Sequence, residues 1–510
     1  MEKKIKFGTG GLRGIMGNDV GYINHHVIRH VTHGLAKNIL SSDAPKSVGV
    51  AYDTRFNSVE FAQIVCDVLS GFDIKTYIFD KPMPTPALSH AIRIMNLGWG
   101  VCITASHNPQ EYNGYKVYDK NGVQVTDRIA KEIIDSVNSV DIYDIVPEKK
   151  PNNINKFDEV VIKTYFEQII SFVQPENKPS DYPFIYSALH GTGANAIPAV
   201  IERLGFNPIL IQQNPDGAFG GLKTPNPEEP VVYEKALNKA EETNAELILA
   251  TDPDCDRVGV MVKSNGNFVS LNGNQIGALL IDYLAQTKKE KLGIETSKKG
   301  TVISTIVSGL LGEFVAKNHG LNFVRLLTGF KYIGEYIVNM PENENFFFGY
   351  EESFGFLAGT GAKDKDAVIA TALIVKMAAF YKTKGKTLSD RLSELNEKYG
   401  YCLESLHNIN VSQEKQREIM DRFRSDASID GVTRSEDYLY GIKGLPPADV
   451  LMLYFTGDSE TLYNTAWVAI RPSGTEPKLK IYTGVHSNTY EAAQTALEDI
   501  SNKILDFIQE

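Results

Sequence analysis

Short apolar runs rich in valine and isoleucine alternate along the chain with stretches of helical period. The run at Ser47–Tyr52 is followed by a helix-like stretch at 61–70, and further apolar runs lie at 98–104 and 246–251. Such alternation is typical of strand and helix units that build a parallel sheet. Because these runs are apolar throughout, they predict sheets that are covered on both faces. The pattern therefore predicts an α/β fold.

Polar stretches interrupt this alternation at three places, near 148–155, 263–268 and 381–387, and predict domain boundaries there. A helix of apolar period is predicted at 157–173, just after the first boundary. No short repeat of the solenoid kind is evident. We expect four domains of ordinary size, at residues 1–150, 156–265, 266–385 and 388–510.

Composition places the chain among folded proteins. Its 510 residues are 42% apolar and 23% charged, which excludes a mainly disordered or low-complexity polymer. No apolar run approaches the ~18 residues of a membrane span, so we expect no membrane partner. The start, Met-Glu-Lys-Lys-Ile-Lys-Phe-Gly, lacks the apolar region of a secretory signal. We therefore expect a cytoplasmic protein.

Net charge and cysteine content further narrow the functional classes to which the protein could belong. The 52 basic and 63 acidic residues give a net charge of −11, which argues against a nucleic-acid partner but leaves room for a small anionic ligand in a locally positive cleft. The cysteines are far apart and form no Cys-x-x-Cys pair, so buried thiols are expected instead of a zinc site or a disulfide framework. They are Cys66, Cys102, Cys255 and Cys402.

Four polar turns carry the candidate chemistry, one in each expected domain. The first, at 104–109, follows an apolar run and so lies at the carboxyl end of a strand, where α/β sheets bind ligands. It presents Ser106 beside His107, and Lys116 follows ten residues later. A serine hydroxyl is a weak nucleophile until a base or metal activates it. The Gly-x-Ser-x-Gly motif of hydrolases is absent, so acyl transfer is not favoured.

The second turn, at 251–257, contains Asp252, Asp254 and Asp256 at alternate positions. Three carboxylates pointing the same way repel one another unless a cation neutralises them. Oxygen ligands favour Mg²⁺ or Ca²⁺ over Zn²⁺. The glycine and glutamate of an EF-hand loop are replaced by Arg257 and Lys263. This turn therefore predicts a site for a hard divalent cation, with a solvated acidic turn as the alternative.

The third and fourth turns suit a phosphorylated sugar. The third, at 349–355, holds carboxylates and a hydroxyl that can accept hydrogen bonds from sugar hydroxyls, and a solvent-facing charged turn is the alternative. The fourth, at 471–478, combines an arginine with hydroxyls and a glycine, which suits phosphate, and a hairpin turn is the alternative. No P-loop pattern occurs. The four turns together predict metal-assisted phosphoryl transfer on a sugar.

In these motifs the chain resembles the α-D-phosphohexomutase family, which includes the phosphoglucomutases and phosphomannomutases. Five motifs match in the family's order: 8–14 (Gly-Thr-Gly-Gly-Leu-Arg-Gly), 104–109, 252–257, 351–355 and 471–478. The resemblance implies four domains around a central cleft, the first three alike and the fourth a smaller α+β lid. It also implies Mg²⁺ as cofactor and glucose 1,6-bisphosphate as activator and bound intermediate.

The resemblance also implies a role for individual residues. Ser106 would carry the phosphoryl group, which passes to the free hydroxyl of a hexose monophosphate. The metal ligands would be Asp252, Asp254, Asp256 and an oxygen on Ser106. Arg13 and Arg257 would contact or orient the phosphoserine. Proton transfer has three candidates, His107, Lys116 and Lys365. Substrate contacts are implied for Thr328, Gly329, Lys331, Glu351, Ser353, Arg471, Ser473, Gly474 and Thr475.

One departure from the family pattern bears on specificity. Some bacterial phosphomannomutases carry a histidine just after the sugar turn, where this chain has Gly355. This favours the glucose-preferring branch and moves the proton-transfer role toward Lys365, whose pKa would have to be lowered by burial or neighbouring cations for it to act as a base. Phosphomannomutase, phosphopentomutase, a sugar-phosphate phosphatase and a non-catalytic scaffold stay open as alternatives. The sequence does not predict the oligomeric state.

Overall fold

The computed structural model of the chain describes residues 7–8, 11–19, 21–174, 181–287, 298–425, 429–457, 462–473 and 478–509. Within these ranges the strands form four sheets, and each sheet is the centre of one domain. The α/β fold class predicted from the sequence is confirmed.

The sheet of the first domain, over its described residues, has seven strands in the order β1-β2-β6-β5-β3-β4-β7. Strand β3 pairs in parallel with β4 and β5, whereas β6 runs antiparallel to β5. Its elements are β1 (Phe7–Gly8), β2 (Gly11–Ile15), α1 (His25–Ser41), β3 (Ser47–Tyr52), α2 (Ser58–Gly71), β4 (Lys75–Ile78), α3 (Thr85–Ile94), β5 (Trp99–Ile103), β6 (Tyr112–Tyr118), α4 (Asp127–Asn138) and β7 (Ile154–Lys156).

The sheet of the second domain has the order β12-β11-β10-β8-β9. The domain begins with a helix where one was predicted, and Asp158 caps that helix by accepting from the Val160 N–H at 2.8 Å. Its elements are α5 (Glu159–Val173), β8 (Phe184–Ser187), α6 (Gly193–Arg203), β9 (Ile209–Ile211), α7 (Glu234–Thr243), β10 (Leu247–Thr251), β11 (Val258–Ser264) and β12 (Asn267–Leu271).

The sheet of the third domain has the order β14-β13-β15-β16. Its elements are α8 (Gly273–Thr287), β13 (Lys299–Thr305), α9 (Leu311–Asn318), β14 (Asn322–Leu326), α10 (Phe330–Val338), β15 (Glu344–Tyr350), β16 (Phe356–Ala358) and α11 (Ala367–Thr383). A further helix, α12 (Leu388–Tyr399), leads into the fourth domain.

The fourth domain differs, because its sheet is antiparallel throughout the described strands, in the order β17-β21-β20-β19-β18. Apolar residues of two helices, among them Phe423 and Ile504, pack on this sheet. Its elements are β17 (Tyr401–Asn410), α13 (Gln413–Ser425), β18 (Val432–Asp437), β19 (Leu451–Thr456), β20 (Thr465–Pro472), β21 (Lys478–Ser487) and α14 (Tyr490–Gln509).

The first three domains repeat one four-strand pattern: β6-β5-β3-β4, β11-β10-β8-β9 and β16-β15-β13-β14. In each, the third strand of the unit turns back into an antiparallel fourth strand. Each of these turns contains a non-glycine residue with a left-handed backbone: Ser106 (φ 53°), Cys255 (φ 53°) and Phe354 (φ 64°). Such backbone is uncommon outside glycine and marks turns whose conformation is imposed by their surroundings. The predicted similarity of the first three domains is confirmed.

Apolar packing joins the domains. One core cluster contains residues of the first three domains, including Leu88, Ile197 and Leu373. Another joins the third domain to the fourth, where Phe330 and Ile333 share a cluster with Trp467 and others. All five residues of β5 and of β10 are buried, in agreement with sheets that are covered on both faces. The turns that follow these strands are therefore anchored at one end in packed core.

The four cysteines are buried and unpaired, as the sequence predicted, and burial raises the pKa of the Cys66 thiol to about 12. Of the helices in the described ranges, none is both long and apolar enough to cross a membrane.

Candidate active site

Turns from the first and second domains meet in the interior of the molecule. Ser106, in the turn after β5, donates a hydrogen bond from Oγ to Oδ2 of Asp252, in the turn after β10, at 2.8 Å. Both residues are buried, at 1% and 0% exposure. Each turn follows the third strand of the repeated unit, so the two equivalent edges face each other and bring the hydroxyl to the carboxylates.

His107 lies beside the serine hydroxyl, with Nδ1 3.2 Å from Oγ of Ser106. Burial lowers the pKa of His107 well below its usual range, and Arg257 and Arg13 lower it further. The imidazole is therefore neutral near pH 7, and it contacts the hydroxyl as a hydrogen-bond partner rather than as a cation.

The predicted carboxylate triad is assembled. Asp252, Asp254 and Asp256 are buried, and each offers an oxygen such that the three oxygens lie within 4.8 Å of one another. Burial, followed by repulsion from Asp254 and Asp256, raises the pKa of Asp252 well above its usual range. Oδ1 of Asp254 and Oδ1 of Asp256 are buried with no hydrogen-bond partner among the described residues. Such orphaned oxygens are costly, and an all-oxygen donor set fits a hard divalent cation.

Two lysines lie against the triad and offset part of its negative charge. Lys116 donates to Oδ2 of Asp254 at 2.7 Å and to Oδ2 of Asp256 at 3.1 Å, and Nζ of Lys365 lies 3.2 Å from the same Asp256 oxygen. Burial alone would raise the pKa of Asp256, but Lys116 and Lys365 reverse the effect and hold it below its usual range.

The acid–base state of Lys365 differs from the sequence expectation. Burial lowers its pKa, but Asp256 and Asp364 outweigh burial, and the net shift is upward. The lowered pKa that a lysine base requires is not found in this arrangement, because the expectation counted burial and cations but not the two carboxylates that face the ammonium. Lys365 therefore carries a proton here.

The glycine at the end of the sugar turn is explained by the same lysine. A Cβ placed on Gly355 would lie 2.2 Å from Cδ of Lys365, which is closer than real contacts allow. Asp366 caps α11 by accepting from the Val368 and Ile369 N–H groups, and this fixes the chain immediately after Lys365. A side chain at position 355 and Lys365 in its present position exclude each other.

The predicted sugar turn lies next to this lysine. Glu351 is 4% exposed, and its Oε1 accepts from the Gly329 N–H at 2.9 Å. This hydrogen bond joins the sugar turn to the segment 328–331, which was also predicted to contact the substrate. Burial raises the pKa of Glu351 to about 6 against the opposing charge of Lys365. Ser353 is half-buried, and Oγ1 of Thr328 is buried with no partner among the described residues. These groups are available to a hydroxylated ligand.

Lys331, a predicted substrate residue, is engaged elsewhere in this structure. Its Nζ lies 2.5 Å from Oδ1 of Asp127, at the start of α4 in the first domain, and the Tyr332 hydroxyl donates to the other oxygen of the same carboxylate. The lysine is 3% exposed. Asp127 thus ties the substrate turn of the third domain to the first domain, a contact that the sequence analysis did not identify.

The two predicted phosphoserine contacts flank the serine turn. Arg13 donates from Nη1 to Oδ1 of Asn108 at 3.2 Å, and Arg257 donates from Nη1 to Oε1 of Glu228 at 2.8 Å. The Nε atoms of both arginines are buried and lack hydrogen-bond partners in the described part of the chain. Both side chains can therefore still donate to an anion.

The fourth turn is described only in part. Arg471 is the penultimate residue of β20 and pairs in register with Lys480 of β21. Ser473 N–H donates to the Lys478 carbonyl at 2.8 Å, whereas Gly474 and Thr475 lie outside the described residues. Burial and then Arg471 lower the pKa of Lys480. Lys480 was not predicted, because its place beside Arg471 depends on the hairpin register rather than on a motif.

Family comparisons agree with this geometry. Domain models of the phosphoglucomutase/phosphomannomutase family match the chain as alpha/beta/alpha domain I at residues 4–144, domain II at 163–266, domain III at 272–399 and the C-terminal domain at 432–501. A phosphoglucomutase of Staphylococcus epidermidis is 34% identical, over 97% of this chain and 93% of its own length.

Solved structures show the same fold. Parafusin, a phosphoglucomutase of Paramecium, matches with a TM-score of 0.71 at 18% identity and covers 99% of this chain and 94% of its own. The N-acetylphosphoglucosamine mutase of Aspergillus fumigatus matches with a TM-score of 0.54 at 14% identity, over 99% of this chain and 96% of its own. That protein was solved with GlcNAc-6P and magnesium, and a serine-to-alanine variant with glucose 1,6-bisphosphate. The chain therefore belongs to the phosphoglucomutase/phosphomannomutase family, and it is an intramolecular phosphotransferase of the isomerase class.

Proposed function

We propose that the protein interconverts glucose 1-phosphate and glucose 6-phosphate through a phosphorylated Ser106. The observation that carries the proposal is the buried Ser106 hydroxyl, held 2.8 Å from Asp252 at the rim of the carboxylate triad. The free sugar hydroxyl attacks phosphorus, the bond to Ser106 Oγ breaks, and a bound 1,6-bisphosphate forms. After the sugar reorients, Ser106 Oγ takes the other phosphoryl group, and the isomer is released.

A magnesium ion fits the triad. Asp252, Asp254 and Asp256 would hold it together with an oxygen on Ser106, and the two orphaned carboxylate oxygens support this donor set. When bound, Mg²⁺ supplies neutralisation of the charge on the transferring phosphoryl group. Lys116 neutralises part of the remaining negative charge, because it contacts two of the three carboxylates.

Lys365 is the proton-transfer group that the geometry favours. Lys116 is 2% exposed and donates to two carboxylates of the triad, whereas Lys365 contacts only one of them, at 3.2 Å. His107 faces the serine oxygen rather than the sugar turn. Lys365 lies between the triad and Glu351, where a sugar hydroxyl would sit. In the dephosphorylated enzyme Lys365 is an ammonium, and it donates its proton to the sugar oxygen that leaves phosphorus when Ser106 takes the phosphoryl group. The amine that remains then accepts the proton of the sugar hydroxyl that attacks the phosphoserine in the next transfer.

The substrate would contact two groups of residues, one that binds its sugar hydroxyls and one that binds its phosphate. Glu351, Ser353 and the turn at 328–331 would read the sugar hydroxyls. Arg471, Ser473 and Lys480 would hold the phosphate that is not being transferred, joined by Gly474 and Thr475. None of the phosphate-binding residues is specific to one end of the sugar, so the same residues would bind the 1-phosphate and the 6-phosphate.

The proposal is tested by a coupled assay of glucose 1-phosphate, mannose 1-phosphate and ribose 1-phosphate, with glucose 1,6-bisphosphate as activator. We expect the highest kcat/KM on glucose 1-phosphate, complete loss of activity in excess chelator, and recovery with Mg²⁺. Higher kcat/KM on mannose or ribose 1-phosphate would reassign the substrate. Release of inorganic phosphate without isomer would show a phosphatase instead.

A further inference from the structure

A buried ion pair lies behind the nucleophile turn, apart from the groups proposed to contact substrate or metal. Asp53 and Arg55 follow β3, the first strand of the repeated unit, and Nε of Arg55 lies 3.1 Å from Oδ2 of Asp53, with both side chains at 0% exposure. The terminal nitrogens of the guanidinium donate to main-chain carbonyls of the nucleophile turn and of the strand after it: Ser106 (2.5 Å), Asn108 (2.5 Å), Pro109 (2.8 Å) and Tyr112 (3.1 Å).

The other member of the pair, Asp53, connects to the backbone N–H of the same residue, Ser106. The Thr104 hydroxyl donates to Oδ2 of Asp53 at 2.6 Å and accepts from the Ser106 N–H at 2.8 Å. The N–H of Ser106 therefore connects through Thr104 to Asp53, and its carbonyl connects to Arg55. One ion pair holds both polar groups of the nucleophile's backbone.

This arrangement accounts for the unusual backbone of Ser106. A serine at φ 53° lies in a region that L-residues other than asparagine and aspartate seldom occupy, and it persists only where the surroundings over-determine it. The left-handed turn aims Oγ at Asp252. Arg55 is covered from the second domain by the Phe219 ring, whose centroid lies 4.9 Å from the guanidinium carbon, so the pair is shielded from water.

We infer that Arg55 and Asp53 are positioning residues for the nucleophile, and that they keep Ser106 in line with the sugar hydroxyl before and after it carries the phosphoryl group. The inference rests on the proposed function of Ser106. An arginine suits this task because its planar guanidinium presents more N–H donors than a lysine ammonium, and presents them in a fixed geometry. Neither residue touches the reacting atoms.

The test compares Arg55→Lys with a matched control. Arg391→Lys perturbs another arginine–aspartate pair, in which the half-buried Arg391 of α12 contacts the buried Asp282 of α8 at 2.9 Å, away from the nucleophile turn. We expect Arg55→Lys to lower kcat by about 10- to 100-fold with little change in KM, because misplacement of a reacting group by ~1 Å costs on the order of 100-fold. Arg391→Lys should lower the melting temperature and leave kcat unchanged.

A second readout separates positioning from general stability. Enzyme phosphorylated at Ser106 with glucose 1,6-bisphosphate is followed by intact mass as the phosphoryl group passes to glucose 6-phosphate or to water. We expect the ratio of transfer to hydrolysis to fall in Arg55→Lys and to stay unchanged in Arg391→Lys. A wild-type kcat and ratio in Arg55→Lys, with only a lower melting temperature, would overturn the inference.

Thr104→Val provides a variant without loss of buried charge, in case Arg55→Lys does not fold. It cuts the link to the Ser106 N–H, and we expect a loss in kcat of roughly up to tenfold, the effect of one hydrogen bond, with the same change in ratio. A wild-type ratio in Thr104→Val counts against the inference. Turnover by Ser106→Ala would instead refute the proposed function, so the two failures are distinguishable.

Discussion

The first and third domains support equivalent turns in opposite ways. In the first domain, the support after β3 is charged, because Asp53 and Arg55 hold the backbone of the nucleophile turn. In the third domain, neutral groups contact the turn: the hydroxyls of Thr305, which ends β13, and of Ser308 donate to Oε2 of Glu352 at 2.9 and 3.3 Å. Arg325, which is paired with Glu313, donates to carbonyls at the end of β13 and in the segment after it rather than to those of the turn. In the first domain the fixed charge lies beneath the turn, whereas in the third the charge is on the turn itself.

The difference follows from what each turn has to do. In the proposed mechanism Ser106 changes covalently, so its backbone must keep one conformation while the charge at Oγ changes, and a buried ion pair resists that perturbation. The sugar turn, in contrast, would only contact the ligand, which reorients between the two phosphoryl transfers. Hydroxyl groups can rotate to follow such a ligand. The same topology thus places a turn at the equivalent position in both domains. The residues at the end of the first strand of each unit, or just after it, determine whether that turn is held rigidly or can adapt to a ligand.

The largest effect is expected at the rigid turn. Ser106→Ala should abolish mutase turnover and leave the fold intact, because it removes the hydroxyl that carries the phosphoryl group. The measurements are turnover in the coupled assay and thermal unfolding of the same preparation. Wild-type-like turnover would contradict a covalent intermediate at the first-domain turn.

Lys365, which lies between the two turns, should give the next largest effect. Lys365→Met is expected to lower kcat by about 10²–10⁴-fold, the usual range for proton transfer, whereas phosphorylation of Ser106 should survive. Lys365→Arg should not restore kcat, because a guanidinium does not release its proton. Single-turnover phosphorylation and steady-state kinetics separate the two steps. A loss of less than threefold would return the role to His107 or Lys116.

The fourth domain lies outside the repeat and should show no preference for one end of the sugar. Arg471→Ala is expected to weaken binding by about 2–4 kcal/mol, the range for truncating a buried charged pair, and equally for glucose 1-phosphate and glucose 6-phosphate. Binding of both isomers by calorimetry is the measurement. A variant impaired for one isomer alone would show that two different sites hold the two phosphates.

The smallest effect is expected at the adaptable turn. Thr305→Val removes one neutral donor to Glu352, and the net value of such a hydrogen bond, about 0.5–1.5 kcal/mol, predicts a rise in KM of roughly 2- to 12-fold with kcat nearly unchanged. Steady-state kinetics on glucose 1-phosphate measure both constants. A larger loss in kcat than in Thr104→Val would remove the contrast between the two domains.

The sequence predicted what short-range pattern controls. The α/β units and the turns that carry the candidate chemistry could be predicted from the pattern, because ligand-binding turns lie at the carboxyl ends of strands. The likeness of the first three domains and the meeting of Ser106 with the aspartate triad were implied by the family resemblance. Contacts between distant segments could not. Lys331 and Asp127 are 204 residues apart, and the exclusion between Gly355 and Lys365 depends on a single close approach. Arg55 stands three residues past a predicted strand, but only the folded turn shows which carbonyls it reaches.

The buried cysteines give the protein a practical property. Thiol reagents attack the thiolate, and a thiol that is both enclosed and raised in pKa, to about 12 for Cys66, offers almost none. The natural chain should therefore be nearly silent toward maleimide dyes. A pair such as Tyr143→Cys in the first domain and Tyr440→Cys in the fourth, at residues 82% and 85% exposed, would accept dyes selectively. Energy transfer between them would then report the distance across the cleft during turnover.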